Sequence, residues 1–295
     1  MSANPATEPA PTPTPTPHDR PPRPGAPRRS ATPRGSRGSR GSRGSRGSRA
    51  GRRRTGLLTA GLLPLGGAVA TAFVVRADIT DPPFQRLDDR WLGWMGGPHD
   101  GPYVAVATVL NWFGGPVGAV LPLALLVPLL VRRRWASAGF LLTACLGGNM
   151  LVIQSLKHLG DRPRPADPLV RVDHGSFSSG NAATAALLVV AVGALLVPAA
   201  LRRAWWYGGA AFTLAMMWGR TWLHAHWLTD TAGGAAAGAG AGLLVWWLFR
   251  AALAREGVRS RGGARHGLTA RGRPARSVAG GPPAADGAVG GRPGP

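Results

Sequence analysis

Three short stretches of this 295-residue chain hold residue types that could act on a phosphate group. The first is KHLGDRPRP, residues 157–165, which contains Lys157, the only lysine among 35 basic residues. The second is SFSSGN, residues 176–181, and the third is GRTWLHAHWLTD, residues 219–230. Together they offer one Lys, Arg164 and Arg220, a Ser-Gly pair where a helix could start, and a His four residues before an Asp. A guanidinium presents a planar fork to two oxygens of a tetrahedral oxyanion, and an ammonium adds a compact point charge. The first turn of a helix at Ser179 and Gly180 would aim unpaired N–H groups at the same anion, glycine letting the backbone come close. If a helix begins near Trp227, His226 and Asp230 share one face. A carboxylate on one imidazole nitrogen fixes the tautomer and frees the other nitrogen as nucleophile or base. A His-x3-Asp pair alone reads equally as a hydrogen-bonded interfacial side chain. Beside three cations it reads as chemistry.

The elements that must carry these residues are apolar. Six segments approach the roughly 20 residues a bilayer-crossing helix needs: Thr55–Val75, Val106–Val131, Ala136–Leu156, Gly180–Leu201, Ala204–Leu223 and Asp230–Phe249. The second is interrupted by Asn111 and by GGP at 114–116, which predicts a short lead-in helix. The expected fold is an all-α, polytopic membrane bundle of about six transmembrane helices over residues 55–249. Arginines at 52–54, 132–134, 202–203, 250 and 255 fall on one side if six helices alternate, so both termini are expected in the cytoplasm. The loop 157–179 carries Lys157, Arg162, Arg164 and Arg171 on the opposite, extracytoplasmic side, a departure that calls for a functional reason. The localisation expected is the cell membrane.

The ends are of different material. In residues 1–54, 13 arginines against Glu8 and Asp19 give +11; in residues 250–295, nine arginines against Glu256 and Asp286 give +7. These tails therefore hold +18 of the formal +22, and the pI near 12.0 describes them and not the folded part. Pro/Thr repeats, the Arg-Gly-Ser run at 34–49 and a Gly/Pro-rich C-terminus lack apolar residues to offset chain entropy, so both tails are expected to be disordered. Their arginines suit anionic lipid headgroups. No aromatic residue is interleaved to stack on bases, which disfavours nucleic acid as a partner. Cys145, the single cysteine, lies inside the third segment and reads as a small core residue.

The three stretches resemble the motifs of the type 2 phosphatidic acid phosphatase family, integral membrane lipid phosphatases related to the vanadium haloperoxidases. Those motifs read K-x6-R-P, P-S-G-H and S-R-x5-H-x3-D. Lys157 to Pro165 fits the first, and Arg220, His226 and Asp230 fit the third at the same spacing, with Gly219 in place of its serine. The resemblance implies a phosphorylated membrane lipid as substrate, held by Lys157, Arg164 and Arg220. It further implies attack by His226 to give a phosphohistidine, Asp230 orienting His226, and neither metal nor cofactor. The second motif departs: Ser178-Ser179-Gly180-Asn181 places Asn181 where the family has the histidine that protonates the departing oxygen. Asparagine can donate a hydrogen bond to phosphate but cannot deliver a proton. Three readings follow. Another histidine, His158, His174 or His224, supplies the acid; or the substrate is an isoprenoid diphosphate, whose leaving group is already a phosphate; or the chain binds phosphorylated lipid without turnover. The headgroup is expected to be read by the loop 84–102, with Asp88 and Asp89 as solvated charges.

Overall fold

The computed structural model describes residues 41–97 and 99–271. The chain divides into a unit Met1–Gly47, of which residues 41–47 are described as helical, and a unit Ser48–Pro295 that holds everything below. All regular structure among the described residues is helical, in the order α1 (Gly41–Ala77), α2 (Gln85–Met95), α3 (Gly101–Gly114), α4 (Pro116–Val131), α5 (Trp135–Thr143), a π-helical segment (Ala144–Ile153), α6 (Gln154–Gly160), α7 (Gly180–Leu195), α8 (Arg202–Trp222) and α9 (Leu228–Arg271). The tails expected to be disordered lie outside the described residues at 1–40 and 272–295. Helical backbone takes in 41–54 and 250–271, where an apolar helix has already met the cost of nucleation and each added residue gains one hydrogen bond.

Among the described residues, three helices are long and apolar enough to cross a membrane: Thr55–Ala77, Trp135–Gly160, which is α5, the π segment and α6 in line, and Leu228–Val258. The pair α3 and α4, bent by 46° at the GGP predicted to interrupt it, is apolar enough to make a fourth if it is one broken span and not a re-entrant loop. The two remaining expected spans fall short on length or composition. α7 is apolar but has 16 residues, about 24 Å of rise against a hydrocarbon core of ~30 Å. α8 has 21 residues but carries Arg202, Arg203 and Arg220.

Breaks between helices follow local chemistry. Pro102 and Pro116 stand in the first turns of α3 and α4, where the missing N–H has no intrahelical acceptor to lose. α6 stops at Asp161, which turns left-handed at φ 42 and donates its N–H to Lys157 O at 2.9 Å, and Pro163 prevents continuation. That stop releases the loop 161–179, which carries Asp161, Arg162, Arg164, Asp167, Arg171 and Asp173.

α7 is the centre of the bundle. It packs on α9, α8, the π segment, α3 and α4, and ten of its residues from Ala182 to Gly193 are buried. Its approach to α9 is set by Gly234 and Gly238, whose α-carbons face the backbone of Ser179 and Ala183 so closely that a Cβ would overlap it. These two glycines fix the start of α7 against the start of α9. A core of Ala68, Ala72 and Val75 from α1 with Ile153, Leu156, Phe177 and Ala237 closes beneath the loop.

Candidate active site

At the end of the bundle where α6 stops and α7 and α9 start, Lys157 and Arg164 meet. Lys157 Nζ donates to both carboxylate oxygens of Asp173 at 3.0 Å. Arg164 Nη2 donates to Asp173 Oδ1 at 2.5 Å and to Gly175 O at 2.9 Å, and its Nη1 donates to Ala225 O at 2.5 Å. Prolines 163 and 165 flank this arginine and leave the loop little entropy to lose. Burial alone would raise the Asp173 carboxyl, but the hydrogen bond and charge of Lys157 and the charge of Arg164 outweigh it and hold the group below the usual carboxylate range.

His226 is buried beside them. Its Nδ1 donates to the carbonyl of Ser176 at 2.8 Å, while Nε2 accepts from Arg164 Nη1 at 3.2 Å. The two contacts agree on one tautomer, with the proton on Nδ1 and the lone pair on Nε2 turned toward the cations. Asp230 Oδ2 lies 3.9 Å from Nδ1, close enough to act on the imidazole through its charge, while the Ser176 carbonyl takes the Nδ1 proton and holds the tautomer. The geometry of the helix start explains why. Asp230 Oδ2 accepts the N–H of Trp227 at 3.0 Å, a capping contact that turns the carboxylate back along the chain, and it also accepts the Ser176 hydroxyl. Burial pushes the imidazole down to about 4, the Asp230 charge opposing and Arg220 and Arg164 assisting, so His226 is neutral at neutral pH.

Asp230 is in turn held by a residue that the sequence motifs do not single out. Arg162, 1% exposed, donates from Nη1 to Asp230 Oδ1 at 2.9 Å and to Thr229 Oγ1 at 3.0 Å, and from Nη2 to Asp88 Oδ2 at 2.8 Å and to Gln85 Oε1. Its guanidinium lies 5.1 Å from the centre of the Trp227 ring and 5.5 Å from that of Phe84. Asp88 is fully buried and also accepts Thr229 N at 2.9 Å and Thr229 Oγ1 at 2.6 Å. Asp88 is therefore not a solvated loop charge but the counter-ion that α2 inserts beneath the site; Asp89 is exposed and bonds only Gln85 Nε2 among the hydrogen bonds described, at 2.9 Å. The signal for Asp88 was weak: Gln85 and Asp88 share a helical face with i, i+3 spacing.

Ser179 caps α7, but its N–H is taken by Asp230 O at 3.1 Å, leaving the first-turn N–H groups of Gly180, Asn181 and Ala182 as the ones without an intrahelical acceptor. The hydroxyls of Ser178 and Ser179 and the Nε of Arg220 are buried with no protein hydrogen-bond partner, which leaves them to bond water or a ligand. Asn181 Nδ2 donates to Asn111 Oδ1 at 3.2 Å, and Arg220 Nη1 donates to the same oxygen. Asn111, a polar residue in an otherwise apolar helix, thus ties Asn181 to the third cation. The histidines considered as substitute acids are placed elsewhere. His174 is 74% exposed and pairs with Asp161 at 2.7 Å, His158 is exposed on α6, and the His224 ring stands on edge against His99 at 4.8 Å, its basicity lowered by burial and then by His99.

A family model described as the PAP2 superfamily matches residues 138–254, a stretch that includes Lys157, Arg164, Asn181, Arg220, His226 and Asp230. Among solved structures, the first transmembrane PAP2 type phosphatidylglycerolphosphate phosphatase from Bacillus subtilis is similar in fold, with a TM-score of 0.51 and 22% identity over 62% of this chain and 94% of that one. No curated protein sequence matches.

Proposed function

The chain belongs to the PAP2 superfamily, and from that premise we propose that it is a membrane lipid phosphatase that removes the terminal phosphate of an isoprenoid diphosphate through a phosphohistidine. The observation that carries the reading is the pair of contacts on His226, which leave the Nε2 lone pair facing the side where Arg164 and Lys157 converge. The cations Lys157, Arg164 and Arg220 spread the charge of the phosphoryl oxygens, the work a divalent ion does in other phosphoryl-transfer sites. Nε2 forms a bond to phosphorus as the P–O bond to the leaving group breaks. The Nδ1 proton stays on the ring, its positive charge offset by the Ser176 carbonyl and Asp230. Water then attacks phosphorus, returning Nε2 and releasing inorganic phosphate.

Asn181 decides the substrate. It is bonded to Asn111 and carries no transferable proton, and His174 is paired with Asp161. A lipid alcohol leaves with a pKa like that of water, about 15, whereas a phosphate leaves with a pKa of about 6. A diphosphate therefore departs without an acid, and a lipid monophosphate such as phosphatidic acid does not. The reaction face is extracytoplasmic and both termini are cytoplasmic. This orientation is supported by Glu256, which bonds Arg134 at 3.1 Å and the N–H of Ala136 at 2.7 Å. Glu256 lies 26 residues along α9 from Asp230, about 39 Å of helix, so the arginines 132–134 stand at the end of the bundle opposite the site.

The test is phosphate release by the purified protein from a prenyl diphosphate, its monophosphate and a phosphatidic acid. The diphosphate is expected to be the preferred substrate, with all release lost in His226→Ala. Asn181→His is expected to raise the monophosphate rate by roughly 100-fold to 10,000-fold, the usual worth of a placed general acid, and to leave the diphosphate rate nearly unchanged. Equal native rates on all three, unmoved by Asn181→His, would sink the substrate assignment. No release by a folded native protein would identify a lipid-binding protein without turnover.

A further inference from the structure

The two cations at the mouth of the site already have an anion of the chain's own. Asp173 gives both carboxylate oxygens to Lys157 Nζ and one of them to Arg164 Nη2. The exposures are asymmetric: the side chains of Lys157 and Arg164 are 8% and 10% exposed, that of Asp173 70%. The cations are fixed and enclosed, and the carboxylate reaches them from the solvent side. It uses the same donors that a phosphate oxygen pair would use. Two enclosed cations with a third, Arg220, near enough to act on them through charge are costly without a counter-ion.

We propose that Asp173 is a displaceable internal anion that occupies the phosphate position on Lys157 and Arg164, yields it to substrate, and retakes it as inorganic phosphate leaves. The idea rests on the phosphatase reading for what binds, but not on turnover. A phosphate monoester or terminal diphosphate brings close to two charges and three acceptor oxygens, against one charge and two oxygens on Asp173, so it wins the cations when present. The carboxylate is tethered to the same loop and acts at an effective concentration in the millimolar range or above. Free phosphate, which has lost the lipid chain that held it in place, must therefore compete with a partner that never diffuses away. If the paired state holds about 90% of the empty protein, every anion binds about tenfold more weakly than it otherwise would.

The experiment measures inorganic phosphate binding by calorimetry on purified full-length protein, native and Asp173→Asn, each also in a His226→Ala background, and steady-state kinetics on the prenyl diphosphate. Asp173→Asn keeps shape and removes charge. It is expected to tighten phosphate binding about tenfold and to lower KM by a similar factor, with kcat unchanged or reduced because phosphate departs more slowly. Asp173→Ser, which removes the reach as well as the charge, is expected to do the same. Weaker phosphate binding and a higher KM in both variants, at unchanged melting temperature, would overturn the proposal and make Asp173 a residue that positions the cations. Unchanged binding in variants that still turn over would overturn it and leave the phosphatase standing. Tighter phosphate binding in both Asp173 variants, with no turnover by the native protein, would support it and remove the phosphatase reading, and no phosphate binding by any variant would remove both.

Discussion

His226 owes its chemistry to its surroundings. A free imidazole is half protonated near neutrality, but burial here favours the uncharged form more strongly than Asp230 favours the charged one, and the group titrates at about 4. The lone pair is thus unprotonated throughout the neutral range, held by Arg164 Nη1 until a substrate phosphate takes that donor, and kcat/KM is expected to hold on the acid side until pH falls through about 4, then drop tenfold per unit. Stability has a wider window. The unfolded chain takes up this proton near 6.5 and the folded chain only near 4, so the His226 contribution is complete above 6.5 and is lost progressively as pH falls from 6.5 to 4. A pH-rate profile alongside thermal melts checks both, and an acid limb near 6.5 would contradict the burial argument. The residues of the nucleophile and its cations were legible in the sequence because each lies in a short run with fixed internal spacing. Arg162 and Asp88 were not, because their partners lie 68 and 74 residues away, and no local pattern announces which of many charges will be buried together.

At the scale of elements, the site exists because α7 and α9 start side by side. The apolar segments were readable from composition, and the bend between α3 and α4 from GGP, but the depth of approach between α7 and α9 is a property of two surfaces and not of either helix. Gly238 is the point of closest approach, its missing Cβ replaced by the backbone of Ala183. Gly238→Ala would gain up to about 1 kcal/mol of helix propensity but force two backbones apart, an overpacking cost of typically about 1–3 kcal/mol. The expected result is a net loss of thermal stability and a larger loss of kcat, since Ser179 and Asn181 ride on the displaced helix. Gly257, on the same α9 with nothing within 4 Å of an added Cβ, is the control: Gly257→Ala is expected to be neutral or slightly stabilising. Equal effects of the two substitutions would show that close packing has no part in placing the site.

For the whole molecule the open question is which way it sits. With the site extracytoplasmic, a cysteine replacing exposed Leu169 in the site loop is expected to react with an impermeant reagent on intact cells, and one replacing exposed Val258 beyond Glu256 is not, in a Cys145→Ala background. Ser176, at the entrance to α7, is fully buried and would report nothing. Labelling at 258 without 169 would invert the molecule. The charge network beneath the site also has a bearing on how the protein is made. Asp88 enters the membrane region early in synthesis, Arg162 later, and Thr229 and Asp230, which complete their bonding, last of all. The 142 residues from Asp88 to Asp230 occupy the ribosome for roughly 7–30 s at the usual 5–20 residues per second. For that interval the nascent chain carries an acid, and then an ion pair, that has not yet found its final partners, at the boundary of the hydrocarbon. A chain released before α9 holds the Arg162–Asp88 pair without the Thr229 and Asp230 groups that complete its bonding.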